Sequence, residues 1–334
     1  MADTQFDVLT IGNAIVDVIA PIDPDFLTRE GLAEGIMHLV DAERSAYLYD
    51  RMPAEKRQIS GGSSANTAAG VASYGGRAAF IGKVAADPLG DVFADDLKEI
   101  GVHYSIGRLT EGPATARSMI LVSPGGERTM NTYLGACQQL TTADIKEDEI
   151  GAAAVTYMEG YLWDPPEAKK AFVLASHFAH KHDRPTAFTL SDPFCVNRYR
   201  DEFLDLMRSK TIDYVFANIE EAKALYQTDS LHEAVQQIAK DCELAAITMG
   251  AQGAMAVQNG EIVTVPAFAI PQVVDATGAG DLFASGFLLA LARGRDLKTA
   301  LAAGCLAASE VISHIGARPI RELDQMAAEH QIAI

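Results

Sequence analysis

The chain has 334 residues, 49% of them hydrophobic and 22% charged, which suits one large α/β domain with an appendage and a sizeable core. Its formal net charge of −18 opposes binding to nucleic acid, which needs basic side chains to displace counterions, and opposes adsorption to anionic membranes. The four cysteines, Cys137, Cys195, Cys242 and Cys305, are far apart in sequence, against a disulfide framework or zinc site and consistent with a reducing compartment. Met1 to Asp7 is polar without a signal-peptide pattern, and the longest apolar run, Leu282 to Ala292, is too short to span a bilayer. A cytoplasmic protein with no membrane partner is expected.

Phe6 to Ile11 is an apolar run stopped by Gly12 and predicts a buried first strand. Asp17 to Leu48 is less regular, broken by Pro21 and Pro24, with a short strand expected at Ile36–Val40. Asn66 to Tyr74 reads as helix, Arg77 to Ile81 as strand, and Gly90 to Ile100 as helix. Ser118–Val122 and Arg128–Tyr133 flank Pro124-Gly125-Gly126 and predict a hairpin. With part of 14–45 it forms a small β appendage, placed at about 14–45 and 105–135 within a single domain of 1–334.

The second half alternates strands and helices. Strands are expected at Ala154–Met158, Ala187–Ser191, Tyr214–Ala217 and Ala245–Met249, with helices such as Glu167–His180 and Leu231–Asp241 between them. That alternation predicts a mostly parallel sheet covered on both faces. Asn259-Gly260 between Ala254–Val257 and Glu261–Val265 predicts a second hairpin. Helices at about Gly280–Arg293 and Leu297–His314 close the chain.

The stretch Val273-Val274-Asp275-Ala276-Thr277-Gly278-Ala279-Gly280-Asp281 carries most information about chemistry. A strand end runs into a glycine turn and then a long helix, so backbone N–H groups of the first turn form an anion site. Transfer of a phosphoryl group needs that kind of charge stabilisation. Asp281 falls at the first turn, where the helix dipole favours its ionised form and where it can take a proton from an attacking hydroxyl. Neither a Gly-x-x-x-x-Gly-Lys-Ser/Thr sequence nor a Gly-x-Gly-x-x-Gly after the first strand occurs, so P-loop and dinucleotide-binding domains are not supported. His177, His180 and His182 lie at a helix end, where polar and cationic side chains are common, and do not suggest a metal site.

The 275–281 stretch resembles the C-terminal signature of the ribokinase-like (PfkB) carbohydrate and nucleoside kinases, with Ala276 where that signature usually has Thr. Ile59-Ser60-Gly61-Gly62-Ser63-Ser64-Ala65-Asn66 resembles the family's N-terminal double-glycine signature, and Asn218-Ile219-Glu220-Glu221 its Asn-x-x-Glu motif. The resemblance covers the chain from Val8 to about Pro319. It implies a doubly wound, mostly parallel sheet with a small β-sheet lid. It implies ATP as phosphoryl donor, with Gly278, Ala279 and Gly280 at the transferring phosphoryl and Asp281 as base. Asn218, Thr248, Gly250, Gly253 and Thr277 would face the nucleotide, and Glu221 would hold Mg²⁺ through its waters. Asp275, with the loop His314–Ala317, resembles the monovalent-cation site of many members, which would take K⁺ mostly on backbone carbonyls.

The acceptor is a small molecule, a nucleoside or a sugar. Asn13 lies four residues before Asp17, as in the family's adenosine kinases, and Asp17 can accept from vicinal ribose hydroxyls. By the same resemblance Gly61, Gly62, Ser63, Asn66 and Met130 contact the acceptor, and Tyr133, Tyr161 and Phe194 line a base pocket. Arg128 matches a lid arginine used on the phosphates. The expectation is phosphorylation of the 5′-hydroxyl of adenosine to AMP. A simple-sugar kinase and a catalytically silent nucleoside-binding protein are the alternatives. The molecule is expected as a monomer or a homodimer, since lid sheets pair between chains in some members.

Overall fold

The computed structural model describes residues 4–334, so the first three residues of the polar N-terminal segment lie outside it. In chain order the strands are β1 (Phe6–Ile11), β2 (Ile15–Pro21), β3 (Met37–Leu39), β4 (Arg57–Gly61), β5 (Ala78–Ile81), β6 (His103–Tyr104) and β7 (Ala116–Val122). They continue as β8 (Arg128–Tyr133), β9 (Ala153–Glu159), β10 (Thr186–Thr189), β11 (Tyr214–Asn218), β12 (Leu244–Thr248), β13 (Ala254–Gln258) and β14 (Glu261–Val265). Nine of them form one sheet in the order β14-β13-β12-β11-β10-β9-β1-β5-β6, parallel from β12 to β6, with β13 and β14 added antiparallel.

Alternation along β1 shows why the sheet is covered twice. Val8 packs into a core with the helices Ser63–Ser73, Ala279–Ala292 and Leu297–Val311, through Val71, Phe283, Phe287 and Leu301. Leu9 and Ile11 point the other way, into a core with Phe172, Phe203 and Ile238 of the helices Pro166–Lys181, Pro193–Arg208 and Leu231–Asp241. Successive strand residues face opposite sides, so a strand buried on both is apolar throughout. The parallel strands therefore end together, with Ile11, Glu159, Thr189, Asn218 and Thr248 along one edge. Ligands of open α/β sheets bind outside that carboxyl edge.

The remaining five strands make a second sheet in the order β3-β8-β7-β2-β4. On β2, Val16, Val18 and Ala20 are buried, so Asp17 faces the opposite side with Ile15. Strand β4 was not foreseen, because Arg57-Gln58-Ile59-Ser60-Gly61 contains a single large apolar residue and occupies an edge. The helix Ala42–Arg51, capped by Asp41, also lay hidden in the stretch read as irregular.

Candidate functional site

A cavity of about 980 Å³ lies between the carboxyl edge of the large sheet and the small sheet. Its floor is the junction of two helix starts. Gly62, at φ +97, precedes the helix Ser63–Ser73, and a side chain there would sit 2.1 Å from the Asn13 carbonyl. Gly278, at φ +82, precedes Ala279–Ala292, and a Cβ there would lie 2.8 Å from that of Ala317. Both turns require glycine, by backbone conformation and by lack of space. The first-turn amides of Ala279–Ala292 have no intrahelical acceptor, that of Ala279 donating only a long bond, 3.3 Å, to the Ala276 carbonyl before the helix, and Gly278, Ala279 and Gly280 line the cavity.

Asp281 joins the two helices. One carboxylate oxygen accepts from Ser63 Oγ at 2.6 Å and the other from Asn66 Nδ2 at 2.9 Å, while its carbonyl accepts from Thr67 Oγ1 at 3.1 Å. Burial raises the Asp281 carboxyl above its ordinary value, against the pull of those two bonds and of Arg318. Desolvation thus works against the ionised form that the helix start and the two hydrogen bonds favour.

Five other carboxylates line the cavity, and Asp17, Glu159 and Glu221 among them are shifted by burial. Asp17 is pushed up to about 6 by burial, with Arg318 and Arg128 opposing and Asp281 adding to the rise. Glu159, fully buried at the end of β9, is pushed up to about 7 by burial. Its Oε1 accepts from the backbone and side-chain nitrogens of Asn13, each at 2.7 Å, and its Oε2 from Ser64 N at 2.7 Å. It thereby fixes Asn13 and the start of the Ser63–Ser73 helix together. Glu221 is also pushed up to about 7, first by burial. It forms a reciprocal capping box with Asn218, each accepting from the other's backbone N–H at 2.9 Å. Asn218 Nδ2 donates to the other Glu221 oxygen at 2.6 Å, so both carboxylate oxygens are engaged and Glu221 suits a divalent ion held through water rather than by direct ligation.

Of the residues named from sequence, Asn13, Asp17, Gly62, Ser63 and Asn66 line the floor, and Met130 the roof. Asn218, Glu221, Thr248 and Thr277 line the far end, beside Gly278–Asp281. Tyr161 and Phe194 stand at the mouth, 40% and 81% exposed, and the Tyr161 hydroxyl donates to the Ser191 carbonyl at 3.1 Å.

Several expectations need correction. Tyr133 does not line the cavity: on β8 the residues Met130 and Thr132 face it, so the two-residue period turns Tyr133 to the other side. Gly250 and Gly253 lie outside it too. They shape the turn after β12, where a side chain on Gly253 would meet the Val265 carbonyl at 2.0 Å. Gly61 packs beneath Asp17, whose carboxylate a Cβ would reach at 2.5 Å, and does not itself line the cavity. Arg128 pairs with Asp275 and reaches Thr277 Oγ1 at 3.4 Å, bridging β8 to the glycine turn at its outer edge. Asp275 accepts from Arg128, Gly316 N, Thr277 N and Thr277 Oγ1. Four donors occupy its two oxygens, so the carboxylate itself does not fit a K⁺ ion.

Two participants escaped the sequence reading. Glu159 carried a signal, an acidic residue ending an apolar run at the carboxyl edge. Arg318, half-buried with its Nε and Nη1 shielded from solvent, carried none.

The family model described as pfkB family carbohydrate kinase matches residues 36–323. The chain is 52% identical to the adenosine kinase from Sinorhizobium meliloti, over 98% of this chain and 99% of that one, with a TM-score of 0.90. It is equally 52% identical to the probable sugar kinase protein from Rhizobium etli CFN 42, over 99% of this chain and 100% of that one, with a TM-score of 0.91. The adenosine kinase of Saccharomyces cerevisiae is 27% identical over 92% of this chain and 95% of its own length. Among the described residues no helix is long and apolar enough to cross a membrane.

Proposed function

The chain belongs to the pfkB family of carbohydrate kinases, phosphotransferases acting on a hydroxyl of a sugar or nucleoside, and from that premise we propose that it transfers the γ-phosphoryl of ATP to the 5′-hydroxyl of adenosine. The observation that carries the choice of acceptor is the shape of the mouth. Met37, Leu39 and Met130 form an apolar roof, and Tyr161 and Phe194 stand at the entrance, above a floor of carboxylates and amides. A nucleoside has a flat apolar base for the first and ribose hydroxyls for the second, whereas a free sugar would leave the roof without a partner.

In this reading the ribose lies on the floor, its vicinal hydroxyls donating to Asp17, with Asn13 held in place by Glu159. Asp281 accepts the proton of the 5′-hydroxyl as that oxygen attacks. Burial makes it a better base than an exposed carboxylate. Ser63 and Asn66 fix its two oxygens, so the carboxylate reaches the acceptor in one orientation. The amides of Gly278, Ala279 and Gly280 stabilise charge on the transferring group, and a loose transition state lets a carboxylate base act late. Arg128 holds the glycine turn from the lid side through Asp275 and Thr277. Glu221 would hold Mg²⁺ through water, and the ion would supply charge neutralisation at the phosphates.

The likeness to the probable sugar kinase protein from Rhizobium etli CFN 42 supports a second reading, a simple sugar as acceptor with the same base and glycine turn. ADP release with ATP and Mg²⁺, measured against adenosine, inosine, guanosine, ribose and fructose, decides between them. Adenosine turnover is expected; turnover on a free sugar alone would select the second reading, and nucleoside binding without ADP release would remove both.

A further inference from the structure

Arg318 has no part in the chemistry described so far, yet it sits where the pieces of the site meet. It lies on the loop that follows the helix Leu297–Val311. Three successive residues of this loop touch three parts of the site. Gly316 N donates to Asp275 at 2.9 Å, and Ala317 packs against Gly278. Arg318 Nη2 donates to the carbonyl of Ser60 at 2.9 Å and to its hydroxyl at 2.7 Å. Ser60 in turn donates through its N–H to Asp96 at 2.9 Å and through its hydroxyl to the same oxygen. On β4, Ser60 pairs with Val16 of β2, the neighbour of Asp17.

The guanidinium is thus fixed at one end only. Its Nε and Nη1 are buried and without a hydrogen-bond partner among the described residues. Burial of a guanidinium with unmatched donors is costly unless anions face it. The carboxylates whose charges act on Arg318 are Asp96 from the helix Pro88–Glu99, which shares Ser60 with it, then Asp17 from β2 and Asp281 from the helix Ala279–Ala292. Asp281 is faced by Arg318, Ser63 and Asn66, and it acts in turn on Asp17, Glu159, Tyr157 and Tyr161. Asp17 is faced by Arg318, Arg128 and Asp281. Arg318 is the cation that Asp17 and Asp281 have in common. Two buried carboxylates that repel each other need one if both are to stay ionised, the first to accept ribose hydroxyls and the second to accept a proton.

We propose that Arg318 is a positioning residue for the transfer: anchored on Ser60 at the root of the lid sheet, it holds its charge between Asp17 and Asp281 and keeps both carboxylates ionised in their closed-off site. This rests on Asp281 being the base and holds for either acceptor. A guanidinium is suited to the place because its fork can bind Ser60 twice with one nitrogen and still turn its remaining donors to the carboxylates.

The test is the pH dependence of kcat at saturating ATP, Mg²⁺ and acceptor, for the full chain and for Arg318→Gln, Arg318→Lys and Asp281→Asn. Loss of the charge in Arg318→Gln should move the acidic limb up by about one pH unit, a roughly tenfold loss of rate on that limb that is recovered on the alkaline side. Arg318→Lys keeps the charge without the fork, so its limb should stay near that of the unsubstituted chain while the acceptor KM rises. A merely structural role would lower kcat equally at every pH in Arg318→Gln, and that result overturns the proposal. If the Gln variant does not fold, the Lys variant decides: a limb in place supports the proposal, and one displaced by about a unit overturns it. An Asp281→Asn enzyme that keeps full turnover removes the base assignment and this inference with it. A silent Asp281→Asn with an unmoved limb in Arg318→Gln removes the inference alone.

Discussion

Replacing Asp281 by Asn keeps the outline of the side chain and takes away its capacity to accept a proton. The surroundings admit the change. Ser63 Oγ, at 2.6 Å, can still donate to the remaining oxygen. The new amide nitrogen would face the Asn66 Nδ2 group, which now donates at 2.9 Å. Asn66 Oδ1 is buried and has no partner among the described residues, so a half-turn of that amide converts two opposed donors into a hydrogen bond. The fold should therefore survive.

The stability consequence has a definite sign. Burial raises the Asp281 carboxyl above 3.8, so its contribution is fully present below that value and is lost as pH rises through the higher folded-state value. Asparagine does not titrate, so the Tm of Asp281→Asn relative to the unsubstituted chain should climb between acidic and neutral pH. The rate should move the other way. Removal of a general base costs roughly 10²- to 10⁴-fold in kcat, about 3 to 5 kcal/mol of barrier, with acceptor KM changed little. Scanning fluorimetry at two pH values and an ADP-coupled assay read both effects. A kcat within about threefold of the unsubstituted enzyme, under 1 kcal/mol, would refute the base assignment.

Three further substitutions probe separate parts of the site. Asp17→Asn should raise the acceptor KM about 10- to 100-fold, the loss of roughly 1.5 to 3 kcal/mol in charge-assisted hydrogen bonds; a KM unchanged in steady-state kinetics would take the ribose off Asp17. Gly278→Ala forces a side chain into φ +82 and within 2.8 Å of Ala317 Cβ, so the anion turn should shift and kcat should drop; an unaltered kcat would show that those amides do not contact the phosphoryl group. Phe194→Ala should leave Tm alone, since the ring is 81% exposed, and raise the adenosine KM about tenfold if a base stacks on it, given roughly 1 to 3 kcal/mol per stacked base. Equal KM values for the variant and the unsubstituted chain would remove Phe194 from the base site.

Much of the site was legible because its chemistry depends on local backbone. The glycine turn before Asp281 and the double glycine before Asn66 are short segments whose conformation their own residues dictate. The central strands of the large sheet were legible because burial on both faces leaves continuous apolar runs, whereas the two-residue edge strand His103–Tyr104 carries no such run. What could not be read depends on distant partners. Arg318 becomes a buried cation only because β4, the helix Pro88–Glu99 and two aspartates from other segments close around it. Asp275, read as a cation ligand, is claimed by an arginine that is 147 positions away in sequence. The misplacement of Tyr133 has a simpler origin: one residue along a strand changes the face.

The identity of the acceptor is tested most directly by ADP release from ATP and Mg²⁺ with adenosine and, in parallel, with ribose. Turnover with adenosine and little with ribose is the expected result and would tie the apolar roof and the two aromatic rings at the mouth to a purine. Turnover with ribose and none with adenosine would contradict that account, leaving Asp281 and its glycine turn as the phosphoryl-transfer site of a sugar kinase.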